Sequence, residues 1–256
     1  MVRAVVFGVF GLLIGSFLTV VTHRIPRKET VVAGRSRCPA CGTTIRARDN
    51  IPVVSYLLLR GRCRTCRAGI SPLYPVTELA TGALAAGAAL RYRSLFVACL
   101  VAAFLAVLLA LALIDARHQV LPNRIVYPAV LAFGVAIVAG DLADARVDLA
   151  GAALGFVAFG GALFVISLIS PRGMGMGDVK LAFLIGLVLG SLALSFVAVA
   201  AGVAILGGGV AAVVALATGR SRKSKIPFGP FLALGGATAA FLGPQLAHAY
   251  LRLVGA

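Results

Sequence analysis

Eight acidic residues occur among 256, few enough to weigh one by one. Three stand at the borders of apolar runs: Glu78, Asp115 and Asp178. Asp115 closes one run in Ala112-Leu113-Ile114-Asp115-Ala116-Arg117, and Asp178 opens another in Gly173-Met174-Gly175-Met176-Gly177-Asp178-Val179-Lys180. A carboxylate at the edge of hydrocarbon is costly and is therefore a functional suspect. The plain alternative is a solvated boundary residue, or a pair with Arg117 or Lys180. Two carboxylates at one depth point to acid–base work. They cannot both ionise cheaply, so one keeps its proton while the other polarises a water for attack on a peptide carbonyl. Gly175 and Gly177 remove side chains beside Asp178, so an extended substrate backbone could lie close. No strand precedes this Gly-x-Gly step and no Gly-Lys-Ser/Thr follows it, which rejects a nucleotide loop. The other five acids read as structural: Asp141, Asp144 and Asp148 as a solvated exterior turn, Glu29 and Asp49 as partners of neighbouring arginines.

The second constellation is four cysteines in two pairs, Cys38-Pro39-Ala40-Cys41 and Cys63-Arg64-Thr65-Cys66, with 21 residues between the pairs. Each pair can place two thiolates on one ion, and two pairs complete a tetrahedron, the arrangement of structural zinc. Two disulfides or a redox pair are the alternatives. A reducing cytoplasm argues against the first, and the lack of a strand–helix–strand context against the second. No His or carboxylate stands at ligand spacing, so an open catalytic metal position is not expected. Flanking Gly42, Gly61 and Gly69 suit tight turns. Cys99 lies mid-run and reads as a small buried apolar residue.

These residues need elements to hold them, and composition says which kind. Hydrophobic residues make up 61% and charged residues 12%, against about 45–50% and about 25% in a soluble domain. That excludes both a soluble enzyme and a disordered chain, and leaves an all-α polytopic membrane protein. Apolar runs at 5–21, 73–90, 94–114, 125–140, 149–169, 179–217 (too long for one span, split near Gly190-Ser191) and 228–247 predict eight transmembrane helices. The first is not a cleaved signal peptide, because its positive charge follows the apolar run. Residues 23–72 are polar and hold 11 of the 24 Lys+Arg. The chain thus divides into a first transmembrane helix (1–22), a tetracysteine insert (23–72) and a seven-helix membrane domain (73–256). With the insert cytoplasmic, 19 basic residues fall inside and 5 outside, which puts the N-terminus outside by the positive-inside rule. The net charge of +16 then belongs to loops facing anionic lipid and not to nucleic-acid binding.

Together the residues resemble the type IV prepilin leader peptidase / N-methyltransferase family of GxGD membrane aspartyl proteases. The opening Gly15-Ser16-Phe17-Leu18-Thr19-Val20-Val21 with His23-Arg24-Ile25-Pro26 is similar to that family's. So are Asp49-Asn50-Ile51-Pro52 and Ser55-Tyr56-Leu57 between the cysteine pairs, then Tyr74-Pro75 and Glu78-Leu79. Asp115 with Leu121-Pro122-Asn123, the Gly175–Lys180 segment, and Ile226-Pro227-Phe228-Gly229-Pro230-Phe231 complete the match. The resemblance implies that Asp115 and Asp178 are catalytic, that the cysteines hold structural zinc, and that Gly175, Gly177, Lys180 and Glu78 border the substrate. It implies cleavage of the basic leader of prepilins or pseudopilins at the cytoplasmic face of a bacterial inner membrane, in type IV pilus or type II secretion systems. It also implies methylation of the new N-terminus from S-adenosylmethionine. Two positions depart from the family pattern: Thr19 stands where Asn is usual, and Arg67 where Gly usually follows the second cysteine pair. A basic leader would be repelled by a basic insert, so Glu78 is read either as the local partner of the leader or as a residue orienting its own helix. A peptidase without methyl transfer, a proton- or cation-coupled transporter using the same aspartates, and a zinc-held scaffold are the competing readings. The border position of both aspartates and the lack of an internal repeat argue against a transporter.

Overall fold

A computed structural model describes residues 1–31, 36–170, 174–218 and 227–254. Every long apolar run forms helix, and no strand occurs among the described residues. Within hydrocarbon a single segment can satisfy its own backbone only as a helix. The long helices are α1 (Val2–Arg24), α3 (Leu73–Arg91), α4 (Leu95–His118), α5 (Asn123–Leu142), α8 (Met176–Gly190), α9 (Leu194–Ala217) and α10 (Gly229–Val254). Between α5 and α8, α6 (Leu149–Gly155) runs through a π-helical turn at Phe156–Gly160 into α7 (Gly161–Ile169). A short helix, α2 (Val54–Leu58), lies in the insert.

Helices occupy all eight expected places, but among the described residues six rods are long and apolar enough to cross a membrane: α1, α3, α4, α5, the α6–α7 rod and α9. The 15 residues of α8 span about 22 Å, short of a hydrocarbon core of about 30 Å. The 26 residues of α10 are long enough, but Pro244, Gln245 and His248 dilute their apolar character. The basic stretch 219–226, including Ile226, and residues 171–173 lie outside the described residues.

Local signals set the ends. Ser94 caps α4, its hydroxyl accepting the Val97 N–H at 3.4 Å. The helix stops where Gln119 turns left-handed (φ 52°) and its N–H bonds the Asp115 carbonyl at 2.8 Å. Asp148 caps α6 by accepting the Ala150 and Gly151 N–H groups at 3.0 and 2.9 Å. Asp141 accepts the Leu149 N–H at 3.2 Å. Two acids of the Asp141–Asp148 turn are thus hydrogen-bonded helix determinants and not merely solvated charges.

Packing runs through small residues, as expected where lipid removes the hydrophobic drive between helices. The α1 and α3 backbones touch: a Cβ on Gly15 would lie 2.7 Å from the Glu78 Cα, and one on Gly11 2.8 Å from the Gly82 Cα. The α6–α8 contact pairs Gly151-x-x-x-Gly155 with Gly186-x-x-x-Gly190. There a Cβ on Gly151 would lie 2.6 Å from the Gly190 carbonyl oxygen, and one on Gly155 2.9 Å from the Gly190 Cα. Phe104, Leu111 and Ile114 of α4 and Leu181, Leu184, Ile185 and Leu189 of α8 form the fully buried centre. The Arg3 guanidinium donates to the Ala89, Tyr92 and Arg93 carbonyls, tying the start of α1 to the end of α3. Cys99, expected inside, is exposed. It lines an apolar groove of about 310 Å³ between α4 and α5 with Phe96, Ala103, Ala132 and Ala136.

Candidate active site and metal centre

Three helix ends meet at one end of the bundle. Asp115 lies one turn before the end of α4, Asp178 is the third residue of α8, and Gly229 is the first of α10. Asp115 is buried, with 5% of its surface exposed. Its Oδ2 accepts the Gly229 N–H at 3.0 Å, which fixes the carboxylate's rotamer. A Cβ on Gly229 would lie 2.6 Å from that oxygen, so any larger residue there would displace Asp115. Asp178 lies close enough for the two carboxylates to feel each other's charge. Gly175 precedes α8 in extended conformation, its carbonyl accepting the Asp178 N–H at 3.0 Å. A Cβ on Gly175 would stand 3.3 Å from the Asp178 Oδ2, and one on Gly177 3.1 Å from the Leu121 Cβ. Both glycines therefore keep the approach to Asp178 narrow but open.

Lys180 does not pair with either aspartate. Its ammonium donates to the Asn123 Oδ1 at 2.9 Å and lies 5.1 Å from the centre of the Tyr127 ring, fastening α8 to the start of α5. Glu78 has a partner of its own. It is buried on α3, and its Oε2 accepts the Val53 N–H of the insert at 2.7 Å. That bond holds the insert against α3. Gly229, Asn123 and Val53 are the partners that sequence reading left without a role. Gly229 and Asn123 stood inside noted motifs, whereas Val53 carried no signal.

The insert folds as two similar knuckles. In the first, the Cys38 N–H bonds the Thr43 carbonyl at 2.9 Å, the Gly42 N–H bonds the Cys38 carbonyl at 2.9 Å, and Arg37 bridges Thr44. In the second, the Cys63 N–H bonds the Ala68 carbonyl at 2.8 Å, the Arg67 N–H bonds the Cys63 carbonyl at 3.0 Å, and Arg62 bridges Gly69. The residue after each pair is left-handed, Gly42 at φ 69° and Arg67 at φ 61°. All four Sγ atoms lie within 4.8 Å of one another, and Cys38 and Cys66 are 3.8 Å apart. A tetrahedron with metal–sulfur bonds of about 2.3 Å has edges of about 3.8 Å, so the cluster can hold a metal ion. Hydrogen bonding to Thr43 draws the Cys41 thiol down to about 6. The Ala68 N–H lowers the Cys66 thiol, but burial and the crowd of thiols outweigh it and push it up to about 11. A dication on the four sulfurs relieves that mutual repulsion. Beside the cluster, Asp49 takes the Arg64 guanidinium at 2.6 and 3.0 Å.

An all-α polytopic membrane protein with a tetracysteine insert and two carboxylates converging at one end of the bundle is the class that fold and site define. Residues 9–92 match the bacterial peptidase A24 N-terminal domain, and residues 102–213 match the type IV leader peptidase family. The chain is 37% identical to a prepilin leader peptidase/N-methyltransferase of Burkholderia pseudomallei (strain 1026b), over 92% of this chain and 84% of that protein. Proteins of the same name from Pseudomonas aeruginosa (34%; 96% and 92% covered) and Bacillus subtilis (33%; 96% of each) are similar as well. No solved structure matches. The chain belongs to the type IV leader peptidase family.

Proposed function

We propose that this chain is a membrane-embedded aspartic endopeptidase that removes the basic leader of type IV prepilins or pseudopilins. It then methylates the new N-terminus with S-adenosylmethionine. The observation that carries the reading is the convergence of Asp115 and Asp178 from separate helices beside two glycines. In this mechanism one carboxylate is protonated and the other takes a proton from water as the water oxygen attacks the scissile carbonyl carbon. The protonated partner donates to the carbonyl oxygen. Collapse of the tetrahedral intermediate breaks the C–N bond, and the leaving amine takes up the proton. The Gly229 N–H keeps Asp115 in place throughout. Gly175 and Gly177 admit the substrate backbone. Lys180, tethered to Asn123, borders the same opening, and Glu78 reaches substrate only through the insert.

Cys38, Cys41, Cys63 and Cys66 would hold zinc, which supplies a structural staple that a ~50-residue insert needs. The methyl donor fits less well. The pocket nearest the aspartate end, about 320 Å³, is lined by Ile25, Pro26, Lys28, Val120, Pro122 and Arg124. Its two cations, Lys28 and Arg124, would face a cationic sulfonium, so this pocket does not suit S-adenosylmethionine. Methyl transfer rests on the names of the relatives. The proposed topology has eight crossings in a bacterial inner membrane, with the short α8 accommodated by local thinning of the bilayer, the N-terminus outside and the insert cytoplasmic, supported by the charge asymmetry. In it residue ranges 1–22, 23–72 and 73–256 act as anchor helix, zinc insert and catalytic domain.

The test is purified protein with a prepilin-like peptide, read by mass spectrometry for loss of the leader and gain of one methyl group. Asp115→Asn and Asp178→Asn should each lower turnover by about 10²–10⁴-fold, and the double variant should be no worse than either. Near-normal cleavage by either single variant would sink the aspartic mechanism. Cleavage without methyl gain would leave a peptidase only.

A further inference from the structure

The insert carries a feature that neither the metal centre nor the carboxylate pair uses. Around α2, Ile51, Val54, Leu57 and Leu58 are 49, 48, 67 and 77% exposed; Val54 and Leu58 lie about one turn apart on the helix with Leu57 beside them, and Ile51 stands just before it, so an apolar surface is left bare. This is not a loose segment. The Ser55 hydroxyl accepts the Ile51 N–H at 3.0 Å and donates to the Arg48 carbonyl at 2.9 Å. Val53, a β-branched residue held left-handed at φ 59°, gives its N–H to Glu78. Such a backbone conformation persists only where its surroundings over-determine it.

The Glu78 bond also sets depth. Glu78 lies five residues into α3 from Leu73, and its backbone touches Gly15, nine residues before the end of α1 at Arg24. At about 1.5 Å per residue, that contact lies about 13 Å along α1 from Arg24. A glutamate side chain leaning toward the start of its helix recovers only part of that distance. The start of α2 is therefore held below the level of the basic cluster that ends α1, beside the lipid-facing surface of α3. There Leu73, Tyr74, Val76 and Leu79 are exposed, so the apolar face of α2 continues a surface already turned to the bilayer. Exposed arginines flank it on both sides in sequence, Arg46 and Arg48 before, Arg60 and Arg62 after.

We propose that α2 is an interfacial anchor: Ile51, Val54, Leu57 and Leu58 sit among the acyl chains of the leaflet on the insert's side, with the flanking arginines on anionic headgroups. An amphipathic segment with a cationic polar rim buries its apolar face about 5–10 Å into such a boundary, and long arginine side chains reach back to the phosphates. The partner is a lipid surface. The anchor would hold the metal-bound knuckles at a fixed height over the bundle and is independent of the proposed chemistry.

The chain has no Trp, so a single introduced indole reports on one place. Leu57→Trp in the full-length protein, reconstituted in phosphatidylcholine–phosphatidylglycerol vesicles, should emit at short wavelength. It should be quenched several-fold by lipids brominated on the acyl chains and be shielded from aqueous acrylamide. Leu58→Trp should do the same, which guards against one variant that misfolds. Free N-acetyltryptophanamide in the same vesicle suspension is the aqueous reference. In an Asp115→Asn background the quenching should be unchanged, which separates this proposal from the peptidase reading. Indoles at 57 and 58 that are open to acrylamide and blind to bromolipid would overturn the anchor. So would shielding that develops only when an apolar prepilin-like peptide is added, since the face would then belong to substrate.

Discussion

The membrane bundle and the insert are held by opposite means. In the bundle, backbones press together through glycine: Gly11 and Gly15 against α3, Gly151 and Gly155 against Gly186 and Gly190. Few side-chain hydrogen bonds cross it, and its precision comes from shape. The insert buries almost no large side chain. It is defined by four sulfurs, two antiparallel bridges and a network through Ser55, Asp49 and Glu78. Removal of a ligand should therefore break the insert and spare the bundle. An added methyl group at a helix contact should break the bundle and spare the insert.

The largest expected effect is metal removal. Structural zinc contributes on the order of 10 kcal/mol to a small site of this type, more than an insert without a core can replace. Chelation, or Cys63→Ser with Cys66→Ser, should release about one zinc ion per chain and abolish the knuckles. The helical signal should hardly change, because α2 is five residues long. Methyl transfer should fall further than cleavage, because the aspartates belong to the bundle. A chelated protein that keeps its knuckles protected from proteolysis would contradict the division.

Next in size is the bundle's own contact. Gly155→Leu would force α6 away from α8, the helix that carries Asp178. A displacement of about 1 Å at the chemistry can cost about 10²-fold in rate. Cleavage should fall by about that factor while zinc content stays whole. Gly209→Leu on α9, where nothing lies within 4 Å of the site of a Cβ, is the matched control and should cleave normally. Equal loss in both variants would mean that lipid-facing bulk, not the α6–α8 contact, matters.

How much of this could be read from the sequence follows the same division. The tetracysteine cluster was legible because knuckle ligands are close in the chain. The aspartates were legible because charge is scarce in so apolar a sequence. The Asp148 cap was readable in principle, since Asp before Leu-Ala-Gly-Ala-Ala is a helix-start signal; its place among three acids drew attention to charge instead. The bonds that position the site were not legible. Gly229 to Asp115 spans 114 residues and Val53 to Glu78 spans 25, and each donor is a main-chain N–H, which every residue but proline carries. The exposure of Cys99 was hidden because both faces of a membrane helix are apolar.

The smallest effect tests the insert against itself, since its two knuckles differ at one equivalent position. Both need a left-handed residue after the second cysteine, and one supplies Gly42 where the other supplies Arg67. A side chain in that conformation costs roughly 1 kcal/mol, a cost glycine avoids. Arg67 therefore strains the second knuckle. Because metal binding and folding of the insert are one equilibrium, relief of that strain should appear as affinity. Arg67→Gly should tighten zinc by roughly fivefold in competition with a chelator, and Gly42→Ala should weaken it by a similar factor, since 1.4 kcal/mol corresponds to tenfold. No atom lies within 4 Å of a Cβ placed at Gly42, so the loss there would be conformational and not steric. Arg67→Ala separates charge from geometry, because it removes the cation beside the thiolates but keeps the strained backbone. If Arg67→Ala tightened zinc as much as Arg67→Gly, electrostatics would be the cause. If only glycine did so, the knuckles would be equivalent in fold and unequal in strain.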